Sequence, residues 1–420
     1  MERELAVFLA RGNADVRVGR LWARARGGNE TASFEYATEW LNDPGRFEID
    51  PELPLGRGQF HTERALFNAF ADCAPDRWGQ TLLRRHERAR ARSEGRAPRA
   101  LGAIDFVTLV SDETRLGALR FRERDDAAFL TKDSSVPPLV QLPRLLRATA
   151  AVTEDRDTAD DIALLLAPGT SLGGARPKAS VRDANGQLAI AKFPSRDDAW
   201  PITRWEAATL AMAHDAAIDV PQRRLAIVLT KPVLVVGRFD RAAARRVPYM
   251  SALTALAAND GDVRSYLEIA EVTRRIGASP RKDLAQLWRR LVFNMLVSNT
   301  DDHLRNHGFL HQDGGWRLAP AFDLNPMPTD VRPRVHALAI DENEQTASLE
   351  LARSVIASFG LSLRDADQIV REVAKPVAEW RTYGKAQGIS KRQLDRMESA
   401  FEHADLEAAR PKKPRRSTAT

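Results

Sequence analysis

The chain has 420 residues, of which 43% are hydrophobic and 29% are charged, and its formal net charge is +6. This composition is typical of a folded, soluble protein of two or three domains. It excludes a membrane-spanning helix, because no stretch approaches the ~20 apolar residues that such a helix needs. The single cysteine, Cys73, excludes an internal disulfide and a cysteine-rich metal site. Since the N-terminus has no apolar signal region, we expect the chain in the cytoplasm.

Short alternating segments and turn residues at the start of the chain predict an α+β domain over residues 1–125. The predicted elements are strands at 5–9 and 16–22, a strand passing into a helix at 32–41, helical spacing broken at Pro75 within 61–85, and a strand at 115–121.

The next segment, residues 126–240, is predicted to be rich in strands. Pro137, Pro138 and Pro143 predict a linker at its start. The predicted elements after the linker are a helix at 158–166, a glycine-rich turn opening 167–181, a strand at 187–193, a helix at 204–218 and two strands within 224–241. Residues 241–405 are predicted to be mainly helical, and residues 406–420 to be a basic, disordered tail. A small strand-rich lobe followed by a helical lobe is typical of a two-lobed phosphotransferase.

A polar stretch, "SNTDDHLRNHGFL" (298–310), follows an apolar segment that is expected to be buried. Asp301 and Asn306 form the pattern D-x-x-x-x-N, and Asp323 follows in "LAPAFDLNP". Phosphoryl transfer needs a carboxylate that accepts the proton of the attacking hydroxyl and oxygen ligands that hold Mg²⁺. In protein kinases, a base, a metal-binding Asn and a metal-binding Asp occur in this order.

Two other interpretations of this stretch remain open. His303 and His307 have the spacing H-x-x-x-H, so a zinc site with His311 or Asp323 as third ligand is an alternative. However, Leu304 stands where a hydrolytic zinc site of this kind has its glutamate. D-x-x-x-x-N alone is a weak pattern, and an ordinary polar loop explains it equally well.

Upstream residues supply the other parts that a phosphotransferase needs. Gly173, Gly174 and Ala175 would allow backbone N–H groups to approach phosphate oxygens closely. Lys192 lies in an apolar strand and can pair with phosphates, and Glu206 in the next helix can hold that lysine. Each feature also has an ordinary explanation, namely a turn, a snorkelling lysine and a favourable acid near a helix N-terminus. Their order along the chain favours the phosphotransferase.

Two segments concentrate positive charge. Residues 84–99 carry seven arginines against two glutamates, and residues 410–416 carry five cations and no acid. Such clusters bind nucleic acid or acidic partners, or simply face solvent. No helix-turn-helix motif, zinc finger or aromatic stacking platform accompanies them.

Several motifs together resemble the HipA family of bacterial toxin serine/threonine kinases. They are "SLGGARPK", "AIAKFPS", "VGRFDR", "SNTDDHLRNHGF" and "LAPAFDLNP", together with "FHTERALFNAFADCAPDRWGQTLLRR" and "GAIDFVTLVSDETRLGALRF" in the N-terminal third. The similarity runs from about Leu5 to beyond Val370. The resemblance implies a two-lobed, protein-kinase-like fold, with a HipA-type N-terminal domain at 1–125, an ATP-binding part at 126–240 and a helical catalytic lobe at 241–405.

The resemblance also implies an ATP- and Mg²⁺-dependent kinase and assigns roles to residues. These roles are Asp301 as base, Asn306 and Asp323 as metal ligands, Lys192 as the phosphate-pairing lysine, and Ser171, with Thr170 as a second hydroxyl, as the site of autophosphorylation. Residues 235–241, which include Val236 and Phe239, are expected to present backbone groups to adenine, and His303 is expected to orient the loop. Phosphate adds about −1.5 to −2 charges, so phosphorylation of the glycine turn would repel ATP.

Partners follow from the resemblance alone. It implies a small helix-turn-helix antitoxin in a type II toxin–antitoxin system, contact with DNA only through that partner, and a translation-related protein substrate such as an aminoacyl-tRNA synthetase. A role in persistence belongs to the same expectation. The alternatives are a small-molecule kinase on a related fold and an inactive scaffold that binds a repressor.

Overall fold

The computed structural model describes residues 2–131, 136–166, 174–243 and 245–410. The chain forms two compact units, and it passes from one to the other several times. The first unit comprises residues 1–199, 221–262 and 304–319, and the second comprises residues 200–220, 263–303 and 320–420. The predicted boundaries at residues 125, 240 and 405 remain predictions about sequence organisation. No helix within the described ranges is long and apolar enough to cross a membrane.

The first unit begins with an antiparallel sheet in the strand order β4-β3-β2-β1-β5. Its apolar face packs on short helices through a core that includes Phe34, Trp40, Phe70 and Phe121. The strands are β1 (Glu2–Arg11), β2 (Ala14–Arg26), β3 (Asn29–Tyr36), β4 (Gln59–Thr62) and β5 (Leu119–Arg122). The helices are α1 (Thr38–Asn42), α2 (Asn68–Ala71), α3 (Arg77–Ser93) and α4 (Ala103–Leu109).

The predicted linker around Pro143 is wrong, because this proline lies in a helix. Helices α5 (Leu142–Thr153) and α6 (Ala159–Leu166) pack against the next sheet through Leu145 and Leu165, which are both fully buried. Pro143 occupies the first turn of α5, where the missing N–H costs no hydrogen bond. The sheet has the order β6-β7-β9-β8. Its strands are β6 (Lys178–Arg182), β7 (Leu188–Lys192), β8 (Arg223–Val228) and β9 (Lys231–Gly237).

A small sheet completes the first unit and carries the chain that follows the D-x-x-x-x-N pattern. Its order is β12-β13-β14, and Ser251 is paired with Gly308. A Cβ atom at Gly308 would lie 2.4 Å from the ring of Tyr249, so only glycine fits there. The remaining elements are β10 (Arg241–Ala242), β11 (Arg245–Arg246), β12 (Tyr249–Ser251), α8 (Ala252–Ala255), β13 (Gly308–Gln312) and β14 (Gly315–Leu318).

The second unit is helical in its described part. Helix α10 is buried along most of its length, and the rings of Trp205, Trp380 and Phe401 pack together in the same unit. Its helices are α7 (Ile202–Asp215), α9 (Tyr266–Ile276), α10 (Pro280–Leu296), α11 (Leu349–Ser354), α12 (Leu363–Ala378), α13 (Trp380–Ala386), α14 (Lys391–Arg396), α15 (Glu398–Phe401) and α16 (Ala404–Ala409). The predicted mixture of strands and helices is therefore confirmed.

A buried ionic cluster joins the motif "VGRFDR" to residues 113–117 within the first unit. Asp240, which is fully buried, accepts hydrogen bonds from Arg238 Nε at 2.6 Å, Arg241 Nη1 at 2.6 Å and the Gly117 amide at 2.8 Å. The two guanidinium groups lower the pKa of Asp240, against the effect of burial. Both also donate to backbone carbonyls, among them those of Thr114 and Arg115. A buried charge is tolerated only when it is paired and hydrogen-bonded in this way.

We expect Asp240→Asn to lower the free energy of unfolding by about 3 kcal/mol, because it leaves two buried guanidinium groups without their counter-charge. Urea denaturation measures this change. The matched control is Asp126→Asn, since the Asp126–Arg124 pair is 81% and 80% exposed and such pairs contribute about 0–1 kcal/mol. Equal losses in the two variants would contradict the role of the cluster.

Candidate active site

The polar stretch begins where helix α10 ends in a left-handed cap. Ser298 has φ = 51°, and the Asn299 amide donates to the Asn294 carbonyl at 2.8 Å, as in a Schellman motif. Serine replaces the usual glycine, and its hydroxyl donates to the Ala400 carbonyl at 2.7 Å. The cap turns the chain sharply at the end of the buried helix, and Asn299 and Thr300 after it remain buried.

Asp301 lies on this loop and is exposed. Its side chain is 68% exposed, and Arg332 Nη1 donates to its Oδ1 at 3.1 Å. A surface pair of this kind contributes about 0–1 kcal/mol, so a substrate group can replace Arg332 at little cost. The neighbouring Asp302 is buried instead. It accepts hydrogen bonds from the Tyr266 hydroxyl and from Asn294 Nδ2, the latter at 2.8 Å.

The loop is tied to the segment that follows Asp323. The Met327 amide donates to the Ser298 carbonyl at 3.1 Å, and the Ala337 amide donates to the Thr300 carbonyl at 3.1 Å. Asp323 itself has φ = 57°, a left-handed conformation that is uncommon for a residue with a Cβ atom. Aspartate adopts this conformation more readily than most residues, and Asp313 has it in a turn of the same chain. The second unit thus fixes two carboxylates, Asp301 and Asp323, on segments that are hydrogen-bonded to each other.

Asn306 lies in the first unit, at the end of a short 3₁₀ turn (Leu304–Asn306). The residue is 7% exposed, and strand β13 starts two residues later. An amide oxygen and a carboxylate are both ligands that Mg²⁺ prefers, so Asn306 in the first unit and Asp323 in the second each carry a suitable donor atom. His303 is exposed on the same loop, and its amide donates to the Asp301 carbonyl at 3.1 Å.

Lys192 is the last residue of β7, rather than lying in the middle of a strand as predicted. It stands directly opposite Lys178 in the β6–β7 pairing, so the two side chains project from the same face of the sheet. Lys178 is buried, and its Nζ donates to Asp76 Oδ2 at 2.5 Å and to the Gly174 carbonyl at 2.7 Å. Lys178, for which the sequence predicted no role, thus anchors Gly174, the first described residue after the glycine turn.

The other predicted residues are divided between the units. Gly174 and Ala175 are exposed in the first unit. Val236 is buried in β9, and the ring of Phe239 lies 6.2 Å from that of Tyr249. Glu206 is buried in α7 of the second unit. Thr170, Ser171 and Gly173 lie outside the described residues.

The zinc alternative is not supported. His303 and His307 lie in an extended loop and a turn rather than on one face of an α-helix, and His307 is buried while His303 is exposed. In residues 2–131, 136–166, 174–243 and 245–410, no three His, Cys, Asp or Glu side chains come together as a metal site would need.

Comparison with known proteins places the chain in a family. Residues 9–103 match the model of the HipA N-terminal domain, and residues 170–380 match that of the HipA-like C-terminal domain. The chain belongs to the HipA family. Its fold is similar to that of a chain from the solved complex of HipA, HipB and operator DNA from Shewanella oneidensis, with a TM-score of 0.67 and 17% identity over 96% of both chains.

Two curated proteins share part of the sequence. "Putative kinase Y4mE" of Sinorhizobium fredii is 28% identical over 181 residues, which are 37% of this chain and 41% of that protein. A "Putative kinase" of Haemophilus influenzae is 24% identical over 223 residues, 47% of this chain and 65% of that protein. The chain therefore spans about two-fifths of the length of the first relative and somewhat under two-thirds of the length of the second.

His336 makes the segment beside the loop sensitive to pH. It is 1% exposed, and burial lowers its pKa to about 4, although the nearby Asp302 opposes this effect. Arg334 and Arg332 also face it and lower its pKa further. Because the unfolded chain binds this proton near pH 6.5, the stabilisation is present above pH 6.5 and is lost as the pH falls towards 4.

We expect His336→Gln to remove this part of the pH dependence. Wild type should lose up to about 3 kcal/mol between pH 6.5 and 4 through this group, and the variant should show a correspondingly flatter profile. Urea denaturation at half-unit pH steps measures the difference, with exposed His61→Gln as control. Parallel profiles for wild type and His336→Gln would contradict the assignment.

Proposed function

We propose that this HipA-family chain is a serine/threonine protein kinase that uses ATP and Mg²⁺. In this proposal Asp301 accepts the proton of the attacking hydroxyl, and Asn306 and Asp323 hold the metal ion. Lys192 pairs with phosphate, while Gly173, Gly174 and Ala175 present backbone N–H groups to it. The bound metal ion would neutralise charge on the transferred phosphoryl group.

The observation that carries the proposal is the fixed pair of segments in the second unit. The loop of Asp301 and the segment of Asp323 are joined by two backbone hydrogen bonds, at Ser298 and Thr300. Asp301 is exposed, as a base that meets a protein substrate must be, and Asp323 is held in a left-handed conformation. Phosphoryl transfer depends mainly on positioning and electrostatics, so residues held in this way suit the reaction.

The comparisons support the same proposal. Both curated relatives carry the word kinase in their names, and the solved complex belongs to a toxin–antitoxin system. We propose that Val236 and Phe239 lie on the segment that contacts adenine, that Glu206 holds Lys192, and that His303 orients the loop.

Partners and substrate belong to the proposal as well. The solved complex contains HipB and operator DNA, which supports a small helix-turn-helix antitoxin as partner and contact with DNA only through it. The proposed substrate is a translation-related protein such as an aminoacyl-tRNA synthetase. We also propose that the chain phosphorylates itself at Ser171 or Thr170.

We expect Asp301→Asn to lower phosphate transfer about 10²–10⁴-fold, because the asparagine cannot accept the proton. The measurement uses purified protein, labelled ATP and Mg²⁺, followed by mass spectrometry of the chain. The matched control is Asp313→Asn, an exposed position in a turn where φ is 57° and asparagine is well tolerated. Its transfer rate should equal that of wild type.

The outcomes separate the alternatives. Phosphate on Ser171 or Thr170 in wild type, absent in Asp301→Asn, would support the protein kinase. Phosphate transferred only to a small molecule would favour a metabolite kinase. Failure to bind ATP or transfer phosphate would contradict the proposal and favour a scaffold that binds a repressor.

A further inference from the structure

The second half of the D-x-x-x-x-N loop is held by a buried carboxylate near the start of the chain. Arg305 precedes Asn306 directly, and its guanidinium group donates to both oxygens of Asp260, at 2.8 and 2.9 Å. Its Nη1 also lies 3.6 Å from Asp72 Oδ1. All of these residues belong to the first unit.

Asp72 is buried in the first unit, where it accepts three hydrogen bonds. It is 8% exposed and accepts bonds from the Ser251 amide at 2.8 Å, the Ser251 hydroxyl at 2.8 Å and the Thr254 hydroxyl at 2.7 Å. Ser251 is also the N-cap of α8. Burial raises the pKa of Asp72, and the charge of Arg305 and the three donors act against this effect of burial.

The same donors are connected to the loop through the backbone. Ser251 is paired with Gly308 in the β12–β13 ladder, and the Ala252 amide donates to the His307 carbonyl at 2.9 Å. Asp72 is therefore connected, through Arg305 and Ser251, to the residues on both sides of Asn306. Arg305 stands on one side, and strand β12 fixes His307 and Gly308 on the other.

Neighbouring residues strengthen this attachment. Asn68 Nδ2 donates to the Ala258 carbonyl at 3.0 Å, and Arg64 donates to the Ala257 carbonyl and to Asn259 Oδ1, both at 2.8 Å. Residues 64–72 thus hold residues 251–259 at several points. The Asp72 hydrogen bonds are buried, whereas the Arg305–Asp260 pair is exposed to solvent, which weakens such pairs.

We propose that Asp72 is a positioning residue for the loop, acting through Arg305 and Ser251 to fix Asn306. The role of Asn306 as a magnesium ligand rests on the proposed function, whereas the attachment of the loop does not. The N-terminal region would then supply part of the support of the catalytic loop. Loss of the Asp72 carboxylate would weaken the attachment of the loop without removing any group that contacts the nucleotide.

The test compares Asp72→Asn with Asp50→Asn. Asp50 is a matched control, since it is fully buried in the same region and accepts the amides of Ala69 at 2.8 Å and Glu52 at 2.9 Å. Hydrogen exchange of the amides at 304–310 should be about tenfold faster in Asp72→Asn, which corresponds to a loss of about 1.4 kcal/mol. In Asp50→Asn these amides should exchange as in wild type.

A second readout is the Mg²⁺ concentration that gives half-maximal phosphate transfer. It should rise about tenfold in Asp72→Asn and in Arg305→Gln. The double variant should show little further change, because both substitutions break the same chain of contacts. Asp50→Asn should leave the Mg²⁺ dependence unchanged.

Hydrogen exchange tests the attachment of the loop, whereas the Mg²⁺ dependence also requires that the proposed function is correct. If wild type transfers no phosphate, the proposed function is wrong, and hydrogen exchange still decides whether Asp72 positions the loop. Unchanged exchange at 304–310 in Asp72→Asn would overturn the positioning role, as would equal effects in Asp50→Asn. If Asp72→Asn does not fold, Thr254→Val replaces it in the test, since this variant removes one hydrogen-bond donor and keeps the carboxylate. Thr254→Val should give a smaller increase in hydrogen exchange, confined to the amides at 251–256 and 304–310.

Discussion

The first unit depends on one constraint, that a charge removed from water must meet its partners inside the protein. Asp240 meets two guanidinium groups, Lys178 meets Asp76, and Asp72 meets Ser251, Thr254 and Arg305. The Lys178 and Asp72 sets join residues that are far apart in the sequence, and the Asp240 cluster joins a distant segment through the Gly117 amide and the carbonyls of Thr114 and Arg115. Since removing one partner leaves an unpaired buried charge, the sets fix which segments lie together.

These buried charges lie in or beside the segments of the proposed site. The Asp240 cluster lies in the proposed adenine-binding segment, Lys178 holds the end of the glycine turn, and Asp72 supports the loop that carries Asn306. In the second unit, the buried Asp302 beside the exposed Asp301 has a similar structural role through Tyr266 and Asn294. Of the two adjacent aspartates, Asp302 is buried and anchors the loop, whereas Asp301 is exposed and pairs with Arg332.

Much of the architecture could be predicted because short apolar runs are bounded by turn residues in the sequence. The strands at 5–9 and 16–22, the break at Pro75 and the hairpin within 224–241 all appear in the structure. Helix α5 was missed because prolines precede it and Pro143 occupies its first turn, where proline is well tolerated. The predicted strand at 115–121 starts only at Leu119, since Arg115 is buried among backbone carbonyls and Gly117 has φ = 74°. The contacts of Asp72 and Lys178 were not predictable, because periodicity carries no information on pairs so distant in sequence.

The proposed function requires that this chain binds ATP together with Mg²⁺ and that Asp323 takes part in this binding. Isothermal titration of the purified chain with ATP, in Mg²⁺ and again in EDTA, tests this claim most directly, with Asp323→Asn as the variant. We expect one ATP-binding site in Mg²⁺, with binding at least tenfold weaker in EDTA and in the variant. No binding of ATP by wild type in Mg²⁺, or equal binding in EDTA and in Asp323→Asn, would contradict it.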